Sequence, residues 1–338
     1  MNAMERMKAR LKGEPVDQPP NHCIIMGFGA RQLGVSYRDF VNDYKILTEA
    51  GIRCAESFGI DILSAISDPM REAEGFGAHV IYPEDGVPYA PEALITDLKE
   101  LSVLTVRPPE SCRRMNDRLL AVQRYQEYAD GQYPVQGWVE GAFAEACDLH
   151  GLNEMLTDIV LEPEAAKELL EITLQQAIQF AVAQVQAGAD IIGIGDAAGS
   201  LVGPALYEEF VLPYEIRLIK AIHQTGALVR LHICGNITPI LELVACCGAD
   251  IIDCDWMVDF ARAAEVFHGR CSASGNFDPV EILLNGTPES VEDAVRHCLE
   301  VSANTSIIAA GCEVPPFTPP QNLYAVSQTL VRYGNGRL

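Results

Sequence analysis

Gly188-Ala189-Asp190-Ile191-Ile192-Gly193-Ile194-Gly195-Asp196 decides the fold of this chain. A short apolar run flanked by turn residues, entered from one helical segment and left toward another, reads as a strand buried on both faces. Its first five residues return as Gly248-Ala249-Asp250-Ile251-Ile252, two strand-helix units later. The echo is too short to prove a repeat, but a regular array of strand-helix units produces it. Working outward, the same punctuation predicts strands over 134–140, 227–234, 250–255, 271–275 and 306–310. Helices are expected near 149–160, 163–187, 205–224, 238–246, 258–267 and 288–303.

Toward the N-terminus the pattern gives a short amphipathic helix over 4–12, ending at Gly13-Glu14-Pro15. A first strand is expected over 22–27, a helix over 38–57 and a second strand over 60–66. Residues 70–133 are the least regular part, with a hairpin pairing 78–82 with 86–89 and a helix near 113–128. Eight strands, each followed by a helix, is the count of a (β/α)8 TIM barrel. The expectation is therefore one barrel domain over 1–338, with an N-terminal helical extension and an insertion over about 70–133, between the second and third strands. A doubly wound sheet competes, but it needs no eighth unit and usually announces a glycine-rich phosphate turn, which is missing.

Composition bounds the function. Across 338 residues, 47 acidic and 24 basic side chains give a formal charge of -23, which repels nucleic-acid phosphates and anionic membranes. Met1 to Lys8 carries charges where a signal peptide needs an apolar core, and no run of about 18 apolar residues appears. A cytoplasmic protein is expected. Eleven cysteines in a reducing compartment point to core thiols, reactive thiols or metal ligands rather than disulfides.

Barrel active sites form at the C-terminal ends of the strands. The polar residues there are Asp68, Glu140, Asp196, His232, Cys234, Asp255, Asn276, Asp278, Cys312 and Glu313. His232 and Cys234 stand two apart on an extended segment and face the same way. With Cys312 from the eighth strand they make a His-Cys-Cys set suited to zinc, with a fourth position left open for catalysis. A structural zinc would instead draw a fourth ligand such as Cys246 or Cys247. Glu140 is placed to be a displaceable fourth ligand or a proton donor, or it is an ordinary turn residue. Asp196 orients a substrate or caps a loop. Asn236 donates to a substrate oxygen or caps the next helix. Met26, with Phe28 and Trp138, forms an apolar wall or is core.

His232-x-Cys234, the distant Gly311-Cys312, and Pro315-Pro316 with Thr318-Pro319 resemble the uroporphyrinogen decarboxylase superfamily, in particular its zinc-dependent corrinoid methyltransferase branch. The resemblance extends to Gly13-Glu14-Pro15-Val16-Asp17, Gly275-Asn276-Phe277-Asp278-Pro279, Gly286-Thr287-Pro288 and Thr318-Pro319-Pro320-Gln321-Asn322. It implies His232, Cys234 and Cys312 as zinc ligands and a corrinoid carried by a partner protein, since the chain has no Asp-x-His-x-x-Gly corrinoid motif. The segment 137–146 looks like the methyltransferase I components of O-demethylases. That implies transfer of a methyl group from an aryl methyl ether to the partner's Co(I) corrinoid. The alternative is a methylcobamide:thiol methyltransferase of the coenzyme M type. The expected partners are the corrinoid protein and a small methyl donor, with a homodimer left open. Decarboxylation of an eight-carboxylate tetrapyrrole needs several pocket cations, yet the Arg-Gln-Ala-Gly-Arg motif of the decarboxylases is replaced by Met26-Gly27-Phe28-Gly29-Ala30-Arg31-Gln32-Leu33-Gly34, with one arginine.

Overall fold

The computed structural model describes residues 1–334. Seven parallel strands form one sheet in sequence order: β1 (Leu63–Ser64), β2 (Val135–Glu140), β3 (Ile191–Gly195), β4 (Leu228–His232), β5 (Ile251–Asp253), β6 (Ser272–Phe277) and β7 (Ile307–Ala310). Every residue of β2, β3, β5 and β7 is buried. This is why these strands read as continuous apolar runs rather than alternating ones.

The eighth position is filled without a regular strand. Asn21 bridges Ile308 in parallel, the His22 amide donates to the Ile308 carbonyl at 2.8 Å, and the Asp61 amide donates to the Asn21 carbonyl at 2.8 Å. The segment thus lies between β7 and the approach to β1 and completes a (β/α)8 barrel. The strand expected over 22–27 shrinks to this bridge, because Pro19 and Pro20 offer no amide donors before it and Gly27 already opens a helix.

The helices that position the site follow from local signals. α1 (Ala3–Leu11) starts at a capping box between Asn2 and Glu5. α2 (Gly27–Leu33) lies in a segment for which the sequence pattern gives no helix. The helix expected over 38–57 is broken into α3 (Tyr37–Asn42) and α4 (Tyr44–Phe58), because Asp43 leaves the helical conformation and its side chain caps the second piece. The insertion holds α5 (Met70–Phe76) and α6 (Arg113–Ala129), and its hairpin is a single antiparallel bridge between Ile81 and Tyr89.

After β2 come α7 (Ala142–His150), α8 (Leu152–Leu161) and α9 (Pro163–Gln186). The expectation over 149–160 missed α7. The helix expected over 205–224 is two, α10 (Pro204–Phe210) and α11 (Leu212–His223), with Pro213 in the first turn of the second. That over 238–246 is a 3-10 turn leading into one helical turn, α12 (Leu241–Val244). α13 (Phe260–Phe267), α14 (Pro288–Val301) and α15 (Pro320–Gly334) finish the outer layer. Among the described residues no helix is long and apolar enough to cross a membrane.

Candidate metal centre

β4 ends on His232, and two residues later Cys234 leaves the strand on the same side. Cys312 follows β7, with β5 and β6 lying between. At the barrel mouth the three converge: His232 Nε2 to Cys234 Sγ is 3.0 Å, Cys234 Sγ to Cys312 Sγ is 3.8 Å, and Cys312 Sγ to His232 Nε2 is 3.9 Å. Two thiolates about 2.3 Å from one zinc at the tetrahedral angle stand about 3.8 Å apart, so the sulfur pair is already at ligand spacing. Among the described residues these three are the group of metal-binding side chains that lie together. Cys246, exposed and facing the Glu242 carbonyl, and the buried Cys247 are not part of it.

The two thiols share one proton unequally: Cys234 is raised by its hydrogen bond to Cys312 and by burial, and Cys312 is lowered. The Cys312 thiol is drawn down to about 4, first by Cys234 and then by His232, against its burial. A sulfur that is anionic at neutral pH is the form that binds metal ions. His232 Nδ1 meets Asp253 Oδ2 at 3.0 Å, and Asp253 in turn accepts from Arg230 Nε at 2.9 Å on both oxygens. Burial alone would raise the Asp253 carboxyl, but Arg230 and His232 reverse that and hold it at about 2. An ionised Asp253 holds a proton on Nδ1 and turns Nε2 toward the sulfurs, where a metal ion would replace the Nε2 proton, which suits a metal-ligating histidine.

Asp253 and Arg230 were not picked out from the sequence. The available signal was an arginine inside the apolar run Leu228-Val229-Arg230-Leu231, where a buried guanidinium requires a carboxylate. Strand register supplies one, since His232 is paired with Asp253 across β4 and β5.

Beside the ligands lies a cavity of about 240 Å³. Ile24, Met26, Ile66 and Trp138 form its apolar wall, and Asp68, Glu140 and Glu313 reach its lining. Met26 and Glu140 are thus brought to the ligands as expected. Glu140 Oε1 accepts from Arg71 Nη2 at 2.7 Å. Burial raises its carboxyl above the usual range, Arg71 pulls it back, and Glu72 adds to the rise. Burial likewise pushes the Glu313 carboxyl up to about 7.

Two expected site residues are not brought there. Asp196 Oδ1 accepts from the Ala144 amide at 2.9 Å, so this carboxylate is engaged with the first turn of α7. Asn236 Oδ1 accepts from the Thr238 amide at 3.0 Å and caps the turn that follows. Neither lines the cavity. Both capping alternatives describe what these side chains do, because short polar side chains readily bond to backbone amides a few residues away. Phe28 is fully buried against Phe58, with ring centroids 5.4 Å apart, and belongs to the core. Asp255 and Asp278 also serve local backbone, at Gly235 and at Val280 and Glu281.

The family model for uroporphyrinogen decarboxylase (URO-D) matches residues 2–333. A methylcobamide:CoM methyltransferase, MtbA of Methanosarcina mazei, is 29% identical over 337 residues, covering 97% of each chain. A uroporphyrinogen decarboxylase of Syntrophotalea carbinolica is 26% identical over 296 residues, covering 85% of this chain and 84% of its own. The solved structure of a methyltransferase from Methanosarcina mazei superposes with a TM-score of 0.90 at 22% identity, covering 98% of this chain and 99% of that one, and so shares the fold.

Proposed function

The chain belongs to the uroporphyrinogen decarboxylase family, and from that premise we propose that it is a zinc-dependent, corrinoid-linked methyltransferase that passes a methyl group from a partner protein's methylcobamide to a small thiol. The observation that carries this reading is the convergence of His232, Cys234 and Cys312 at the barrel mouth. A His-Cys-Cys set that lines a cavity suits activation of a thiol, because three protein ligands would leave zinc one position for it. The likeness to a methylcobamide:CoM methyltransferase over nearly the whole chain supports the same chemistry. It favours the thiol acceptor over the aryl methyl ether donor expected from residues 137–146.

Decarboxylation fits less well. Apart from His232, the charged groups on the cavity lining are carboxylates. Arg71 and Arg114 behind it are buried in ion pairs with Glu140 and Asp68, and among the described residues no lysine or arginine lines the cavity to meet an eight-carboxylate substrate.

Zinc held by the three ligands would supply the Lewis acidity that keeps a thiol sulfur anionic at neutral pH. The chain's own residues do the rest. Asp253 fixes the His232 ring, the apolar wall of Met26, Ile66 and Trp138 excludes water from the sulfur, and the open mouth admits the methyl donor. In the transfer the carbon-cobalt bond breaks with its electron pair left on cobalt, so Co(III) becomes Co(I). The sulfur pair forms the new carbon-sulfur bond, and the thiol proton has already passed to solvent.

One observation favours the demethylase reading instead: Glu140, raised by burial, would protonate a departing oxygen. The test is metal content and cobalt spectroscopy on the wild type and on Cys234→Ser and Cys312→Ser. Wild type is expected to bind one zinc and to convert methylcob(III)alamin to cob(I)alamin when given a thiol. Either variant is expected to lose the metal and the transfer. Full activity in a metal-free variant rules the mechanism out. Methylation of cob(I)alamin by a methoxylated aromatic, with no reaction of thiols, would establish the demethylase reading.

A further inference from the structure

The loops around the metal ligands raise apolar side chains into solvent. Leu201, at the end of the 3-10 turn after β3, is 58% exposed, and Trp256 and Met257, in the loop after β5, are 49% and 45% exposed. Phe317, in the loop after β7, is 68% exposed. All four stand beside the ligands. A Cβ on Gly235, which follows Cys234, would lie 3.0 Å from Ser200 Oγ and 4.0 Å from Met257 Cε, so Met257 and the turn that carries Leu201 flank this ligand. A Cβ on Gly311, which precedes Cys312, would meet the Trp256 amide nitrogen. Phe317 stands on the remaining side. Its neighbour Pro316 packs on Gly27, which follows Met26 of the cavity wall, and Arg31 stacks on its ring 3.9 Å from the centroid. On a chain of formal charge -23, apolar side chains gathered around one cavity entrance mark an interaction surface, whereas single scattered ones would not.

We propose, on the basis of the corrinoid reading, that Leu201, Trp256, Met257 and Phe317 form the platform on which the face of the partner's corrin ring rests during methyl transfer. The cavity of about 240 Å³ falls below the roughly 300–1,000 Å³ that encloses a drug-sized ligand, so the macrocycle stays outside while the methyl group enters. The sulfur attacks the methyl carbon from the side opposite cobalt, which puts cobalt, carbon and sulfur on one line and lays the ring face down across the mouth. Reaction needs sulfur and carbon within about 3–3.5 Å, so the ring descends to the height of the rim. What it meets there is an indole, a phenyl ring, a thioether and an isobutyl group. These lose little by giving up water to an apolar ring face, and the thioether adapts its shape to it. A charged rim would keep its hydration and hold the ring away. The platform serves transfer in either direction, so it depends on the corrinoid and not on the choice between thiol and ether.

The experiment uses the full chain loaded with zinc and free methylcob(III)alamin as the probe. Calorimetry without thiol gives its Kd, and loss of its spectrum with 2-mercaptoethanol gives KM for each substrate. Trp256→Ala, and Leu201→Asn combined with Phe317→Ser, are expected to raise Kd and KM for methylcobalamin about tenfold, as loss of an aromatic anchor does. Zinc content and KM for the thiol are expected to stay unchanged, and Trp256→Phe to retain most of the affinity. Val331→Asn, at a position 44% exposed on the outer helix α15, is expected to change none of these. Rim variants with wild-type Kd and KM overturn the platform and leave methyl transfer standing. Rim variants that turn a dimer into a monomer at unchanged Kd assign the rim to a second copy of the chain and overturn it as well. Weaker cobalamin binding in the rim variants, with no thiol methylated by the wild type, supports the platform and overturns the thiol-acceptor reading.

Discussion

His232 presents Nε2 to two sulfurs because its other nitrogen is fixed on Asp253, which is itself gripped by Arg230. A carboxylate behind a ligating histidine orients the ring and raises its basicity, and loss of such a partner typically weakens metal binding about 10–100-fold. Asp253→Asn alone would leave Arg230 buried without a counter-charge, so the informative variant is Asp253→Asn with Arg230→Gln. Its zinc affinity, measured by chelator competition, is expected to fall by about that factor while the circular dichroism spectrum is kept. Unchanged affinity would show that the contact plays no part in holding the metal. The three ligands were legible in the sequence because a histidine and a cysteine two apart at a strand end share a face, and Cys312 follows a glycine at another strand end. Asp253 was not, since its contact depends on the register of β4 against β5. For Asp196 and Asn236 the sequence leaves a site role and a capping role side by side, because a capping side chain and a catalytic one look the same at the end of a strand.

The loop that carries Cys312 lies in close backbone contact with the loop after β5. A Cβ on Gly311 would lie 2.3 Å from the Trp256 amide nitrogen and 3.0 Å from the Asp255 carbonyl carbon. Neither side can yield easily, because the Gly311 amide donates to the Phe277 carbonyl at 2.9 Å and the Cys254 amide to the Ser274 carbonyl at 2.7 Å. Gly311→Ala is therefore expected to push the loop after β7 away from the loop after β5 and to carry Cys312 away from Cys234. The expected cost is about 1–3 kcal/mol of stability, as for other overpacked sites, read as a lower Tm together with less than one zinc per chain. A variant with wild-type Tm and zinc content would show that this spacing is not limiting. Most strands could be read in advance because they are apolar runs buried on both faces. α7 could not, since eight of its nine residues are buried and no polar stripe marks its period. The breaks at Asp43 and Pro213 lay inside apolar patterns that continue on either side.

At the scale of the molecule, an acidic chain has enclosed several carboxyls that burial keeps protonated. Burial, then the nearby Asp196, pushes Glu215 up to about 8, and the Tyr207 hydroxyl donates to its Oε2 at 2.5 Å. Burial and Glu72 push Asp148 to about 8, while burial brings Asp61 to about 6 in spite of Arg6. In the unfolded chain these groups release their protons near pH 4. Between that pH and the folded values the native state holds protons that the unfolded state has lost, so stability falls as pH rises. The stabilisation is fully present below about pH 4. It is lost through about 6 for Asp61 and through about 8 for Glu215 and Asp148. Asp17 works in the opposite sense. Burial is outweighed by Arg6 and the N-terminal ammonium, which hold it at about 2, so its contribution is present above the unfolded value and lost as pH falls toward 2. Maximum stability is therefore expected on the acid side of neutrality, with a fall of order 1 kcal/mol per pH unit for each buried group between its unfolded and its folded value. Thermal melts at pH 5, 7 and 9 should show Tm falling across the series, and Glu215→Gln should flatten the fall between pH 5 and about 8. A Tm that rises from pH 5 to 9 would mean that these carboxyls are ionised in the fold and that their burial is compensated.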